Sequence, residues 1–153
     1  MRTIGYKKIE QIEKLEIAIR QLEDALALFT QERFISSLTL AGAAEEVLAR
    51  LLEIEGKAST TERSISLLKE FCDDLNLDPD IKNQPKRQFY QYWNKDRNAV
   101  KHHDNNDPEV LEINDCDAAY WMIRRALSNA KEIGAKVRGR DEFENWVARQ
   151  IRS

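Results

Sequence analysis

Apolar residues recur at intervals of three and four through most of this chain, the repeat expected of one buried helix face. From about Lys7 to Phe29 the positions Ile9, Ile12, Leu15, Ile19, Leu22, Leu26 and Phe29 keep that spacing and predict a first helix with a solvated ionic face. After a short break near Gln31 and Glu32, a second helix is predicted from Phe34 to about Glu55. Its run Leu40-Ala41-Gly42-Ala43-Ala44 lets another helix approach closely, so it is expected to be the most buried element. Gly56 reads as its stop. Thr60 or Thr61 is the expected cap of a third helix reaching Leu75, with Ile65, Leu67, Leu68 and Phe71 as its apolar face. Asp78-Pro79-Asp80 opens the one long irregular stretch, which ends near Pro85. A fourth helix is predicted from Lys86 to His102, closed by Asp104-Asn105-Asn106-Asp107-Pro108. A fifth follows from a cap at Asp115 or Asp117 through Ile133, and a sixth runs from Asp141 to about Ile151.

Only five Gly and three Pro interrupt the 153 residues, which favours long regular elements. Residues 1–153 are therefore expected to form a single all-α domain, an up-and-down bundle of five to six helices. With 42% hydrophobic and 33% charged residues the chain reads as soluble. Charges without an apolar run near Met1, and no apolar stretch of roughly 20 residues, predict a cytoplasmic protein that does not engage a membrane. Cys72 and Cys116 lie far apart and read as small apolar residues. His102 and His103 are the only histidines, and neighbours on a helix diverge by about 100°, so no metal site is expected. Walker A, GxGxxG and GxSxG patterns are all missing, which argues against ATPases, dehydrogenases and common hydrolases and leaves no cofactor expected.

The net charge of −3 hides an uneven distribution. Between Lys82 and His103 lie Lys82, Lys86, Arg87, Lys95, Arg97 and Lys101 against Asp96 alone. Phe89, Tyr90, Tyr92 and Trp93 crowd into the same window. Basic and aromatic residues interleaved in this way suit a nucleic-acid surface, while the window would serve equally as a solvated face balancing acidic neighbours.

On a helical wheel with Phe89 as origin, Arg97 falls at about 80°, Lys101 at about 120°, Asn98 at about 180° and His102 at about 220°. Phe89, Tyr92 and Trp93 take core spacing, and Tyr90, at about 100°, is the better stacking group. Arg97 and His102 stand about 140° apart, so both reach one phosphate only where the helix ends or bends, or where a second copy completes the site. On the second helix Glu45 falls on the buried seam, about 40° from Ala41, and Arg97 is its expected partner.

An Arg followed by Asn, three further residues and His, late in a helical domain that opens with a hairpin, resembles the HEPN family. The stretches Lys14-Leu15-Glu16-Ile17-Ala18-Ile19-Arg20-Gln21-Leu22, Leu38-Thr39-Leu40-Ala41-Gly42-Ala43-Ala44-Glu45 and Tyr92-Trp93-Asn94-Lys95-Asp96-Arg97-Asn98-Ala99-Val100-Lys101-His102 are similar to uncharacterised bacterial HEPN-like proteins. The resemblance spans roughly residues 14 to 130. It implies a homodimer, and for many members a metal-independent endoribonuclease of toxin or defence systems. In that reading His102 is the acid and base, Arg97 binds the developing phosphate charge, and Asn98 orients His102 or binds phosphate. Lys101, Lys95, Glu45 and Tyr90 complete a site for RNA or a nucleotide. Two residues past the histidine, where well-characterised members often carry Tyr, this chain has Asp104. The rival expectation is a non-catalytic module that binds an antitoxin, a nucleotidyltransferase or another protein partner, with a ligand-free scaffold as the third.

Overall fold

In the computed structural model, which describes Gly5 and residues 9–75 and 79–151, the regular elements are all helical. They are α1 (Lys14–Thr30), α2 (Phe34–Ile54), α3 (Thr60–Asp74), α4 (Pro79–Asn83), α5 (Lys86–Trp93), α6 (Lys95–Lys101), α7 (Asp115–Ile133) and α8 (Arg140–Ile151). The all-α class is as expected, but the described residues form eight helices where five to six were anticipated.

The first helix begins at Lys14, later than the apolar spacing suggested, because Glu13 is extended at φ −66°, ψ 145°. Ile9 and Ile12 consequently lie outside it and exposed, and Lys7 is outside the described residues. Buried Ala18 and Ala25 alternate with Leu22, Leu26 and Phe29, and these small residues let α1 pack closely on α2. The hairpin between them turns through Glu32, whose φ of 60° lies in the left-handed region.

The central element is α2, which packs against both α1 and α7. Its buried side combines Leu38, Leu48 and Leu52 with Ser37, Ala41, Gly42 and Ala44. Gly56 stops it as expected: at φ +73° it turns the chain so that Lys57 N donates to the Leu52 carbonyl at 2.9 Å. The third helix is capped by Ser59, one residue before the expected pair, and Ser59 forms a reciprocal capping box with Glu62. Of its predicted apolar face Ile65 is buried, whereas Leu67 and Phe71 face solvent. Asn114, rather than Asp115 or Asp117, caps α7 by accepting from Asp117 N at 3.1 Å.

Phe143 and Trp146 of α8 close the far end of the core on Phe29, with ring centroids 5.1 Å away in each case and edge-on geometry. A bidentate ion pair from Arg124 of α7 to Glu144 holds the same helix from outside.

The predicted fourth helix is two helices. Asn94, at φ −105° and ψ 3°, ends α5 and starts α6. Arg125 of α7 occupies the break, donating to the Asn94 Oδ1 at 2.9 Å and to the Trp93 carbonyl at 3.3 Å. The irregular stretch before it also contains the five-residue α4, whose Lys82 pairs with Asp73 of α3.

Candidate functional site

The break at Asn94 decides where the polar residues of α6 point, because a wheel drawn continuously from Phe89 does not hold across it. The short α6 packs on α2, with Val100 against the core. Beside it the stem of Arg97 fills the notch that Gly42 leaves in α2. A Cβ at residue 42 would stand 2.8 Å from Arg97 Cγ.

The Arg97 guanidinium is held from two sides. Its Nε and Nη2 donate to Asn98 Oδ1 at 3.3 and 3.2 Å, and its Nη1 donates to Glu46 Oε2 at 3.4 Å. The arginine side chain retains 14% exposure and Glu46 keeps 64%. The guanidinium is thus pre-positioned by weak, solvent-screened contacts that a stronger anion can displace.

Glu45 lies on the buried seam as expected, but its partner is Arg125, not Arg97. The pair is 3.2 Å apart with side-chain exposures of 5% and 14%. The physical reason is the α5–α6 break: it brings Arg97 across Gly42 toward Glu46, one residue on, while Arg125 reaches Glu45 from α7. Asn129, four residues after Arg125, approaches Glu45 Oε1 at 3.5 Å and accepts from Thr60 N and Oγ1, each at 2.8 Å. Glu45 therefore belongs to a buried network that ties α2, α3 and α7 to the start of α6. Arg125 and Asn129 share one stripe of α7 with Ala118 and Met122. A charge on such a stripe was the signal that could have identified them.

Asn98 bonds the arginine through its side chain and receives the His102 amide on its carbonyl at 3.0 Å. His102 itself ends α6 in extended conformation, at φ −123° and ψ 149°. Lys101, His102 and His103 are all exposed. With Asn98 they line a broad, open groove of about 1000 Å³ in which Asp104, Asp107 and Glu109 place acids beside the imidazoles.

Arg97 and Lys95 line a second cleft of about 660 Å³, between α6 and α7, walled by Trp93, Trp121 and Met122. Arg97 and His102 thus line different clefts within one chain. Lys95 lies with its ammonium 5.1 Å from the centre of the Tyr92 ring. Tyr92 is 66% exposed despite its core spacing. Tyr90 is half-buried instead, close to Ser59, the cap of α3, and burial foremost pushes its phenol above the usual tyrosine range. The buried arc of α5 therefore centres between Phe89, Tyr90 and Trp93, leaving Tyr92 outside it.

Among the described residues no group of three His, Cys, Asp or Glu side chains is placed to hold a metal ion. Comparison with protein-family models, with curated proteins and with solved structures finds no match to the chain.

Proposed function

We propose that the chain is a HEPN-like protein that binds RNA or a nucleotide as a homodimer, with Arg97 and His102 serving a metal-independent cleavage of RNA. The observation that carries this reading is the termination of α6. The helix stops at Lys101 and His102 turns into extended backbone, so the imidazole is released from the helical wheel on which it stood about 140° from Arg97. Since the two residues line separate clefts, the composite site draws Arg97 from one copy and His102 from the other.

In that site His102 takes the proton of a ribose 2′-hydroxyl. The freed oxygen attacks the adjacent phosphorus, and the bond to the 5′-oxygen breaks with a proton returned to the leaving group. Arg97 offers a planar fork to the phosphate oxygens as their charge grows, and each contribution is on the order of 2–4 kcal/mol. Lys101 and Lys95 add phosphate affinity.

A second reading is favoured by Asp104, Asp107 and Glu109, which share the groove with His102. Acids there oppose a polyanion and suit a protein partner, such as an antitoxin or a nucleotidyltransferase. Incubating the protein with total RNA in EDTA separates the two readings. Cleavage by wild type that Arg97→Ala and His102→Ala both abolish supports the nuclease. Equal behaviour of all three, with no salt-sensitive RNA affinity, leaves the interaction module.

A further inference from the structure

The cleft between α6 and α7 is not used by the reading above beyond its Arg97 and Lys95 rim, yet it has the makings of a ligand site. Its volume of about 660 Å³ lies in the small-molecule range. Leu38, Ile113 and Met122 give it aliphatic walls, and Trp93 and Trp121 give it aromatic ones. Trp121 stays 64% exposed although it borders this apolar hollow.

The lining holds no excess of positive charge. Lys95, Arg97 and Arg125 are equalled in number by Asp96, Glu112 and Asp117, and the two arginines are already paired with Glu46 and Glu45 outside the lining. An anion would meet as many acids as bases there, whereas an uncharged ligand with both donors and acceptors finds partners of each kind.

Two polar atoms in the lining residues are also unmatched. Thr61 Oγ1 and Arg125 Nε are closed off from solvent with no hydrogen-bond partner, and Thr61 is only 2% exposed. Buried polar groups are rarely left so, and two of the residues that line this one cleft each carry such an atom.

We propose that this cleft binds one unstacked, uncharged nucleobase, its ring on the Trp121 indole and its polar edge toward Thr61 and Arg125. A nucleobase is flat, neutral at physiological pH, and carries donors and acceptors along one edge, as these walls require. Threonine in a helix has two accessible χ1 wells, and one step turns Oγ1 out of its closed position to meet the base. The base comes either from a free nucleoside or from a single-stranded RNA. The inference goes beyond the nuclease reading and does not require cleavage.

The chain's three tryptophans make the test direct, since each gives its own indole N–H signal in NMR. Trp146 packs against Phe29 in the core, away from the cleft lining, and serves as the internal control. Adenosine, guanosine, cytidine and uridine are titrated one at a time, then short single-stranded oligoribonucleotides. Saturable shifts of Trp93 and Trp121 with a nucleoside, while Trp146 stays fixed, support the proposal with a free ligand. Such shifts with oligonucleotides alone support it with the base carried on a strand. Trp121→Ala and the nearly isosteric Thr61→Val each weaken binding about tenfold, whereas Arg20→Ala, on the exposed side of α1 and away from the cleft lining, leaves it unchanged. Silence of both indoles toward every nucleoside and oligonucleotide, or equal shifts with p-cresol as a plain aromatic probe, overturns the proposal. Shifts without RNA cleavage leave the cleft standing and reject the nuclease.

Discussion

Gly42 of α2 and Arg97 of α6 occupy one shared space: a Cβ on residue 42 would lie 2.8 Å from Arg97 Cγ and closer still to Cδ. Ala41 and Ala44 of this small-residue run are buried where α2 packs on its neighbours, as anticipated, while at Gly42 it is an arginine stem that takes the space. Glycine here therefore sets the direction of the guanidinium as well as the spacing of the helices.

Gly42→Ala should for that reason mimic loss of Arg97. Overpacking is expected to cost about 1–3 kcal/mol of stability. Because the arginine must move, RNA or nucleotide affinity should fall toward that of Arg97→Ala while the helix content by circular dichroism stays. Full retention of affinity in Gly42→Ala would show that the notch does not position Arg97.

The Glu45–Arg125 pair is the most deeply placed ion pair of the described residues and links α2 to the α5–α6 break through Asn94. Removing one partner strands a buried charge, so Glu45→Ala should destabilise by about 3–5 kcal/mol. Glu45→Leu combined with Arg125→Met should cost much less, since no charge remains unpaired. A denaturant double-mutant cycle measures the coupling. Additive effects of the two substitutions would contradict it.

Phe143 carries the contact of α8 with the core and is fully buried against Phe29. Phe143→Ala should cost about 3–5 kcal/mol, read as a lower denaturant midpoint. A change below about 1 kcal/mol, near the least that burial predicts for a single methylene, would mean that α8 adds little to the fold.

Acid should loosen the same helix. The Arg124 hydrogen bond foremost holds the Glu144 carboxyl below the ordinary glutamate range, and the Arg138 bond does the same for Glu23. A depressed folded-state pKa contributes stability above the unfolded value of about 4.3, and that contribution is lost as pH falls through the depressed value. Melting temperature should thus decline below about pH 4. Glu144→Gln should flatten part of that slope, and an unchanged slope would count against the pair's role.

Particular residues show what the sequence could and could not reveal. The buried seam of α2 was legible, Glu45 included, because apolar spacing alone places a residue on a helix face. The stop at Gly56 was legible for an equally local reason. The break at Asn94 was not, since nothing within Lys86–His102 opposes a continuous helix and the group that fills the break, Arg125, sits on α7. That tertiary contact turned Arg97 toward Glu46, exchanged the expected partner of Glu45, and placed Arg97 and His102 on separate clefts. Tyr92 and Tyr90 exchanged roles because α3 covers only one side of α5. Ser59, rather than Thr60, caps α3, and the Ser59-x-x-Glu62 pattern was there to be read.

The composite site is tested most directly by mixing two inactive proteins. Arg97→Ala and His102→Ala are each purified, combined under conditions that exchange subunits, and assayed on RNA in EDTA beside wild type. If Arg97 comes from one copy and His102 from the other, each mixed dimer regains one intact site, and random exchange restores about a quarter of wild-type activity. A mixture as inactive as its parents, beside an active wild type with confirmed subunit exchange, would place both residues in one chain's site and contradict the account. A wild type that leaves RNA intact would reject the nuclease altogether.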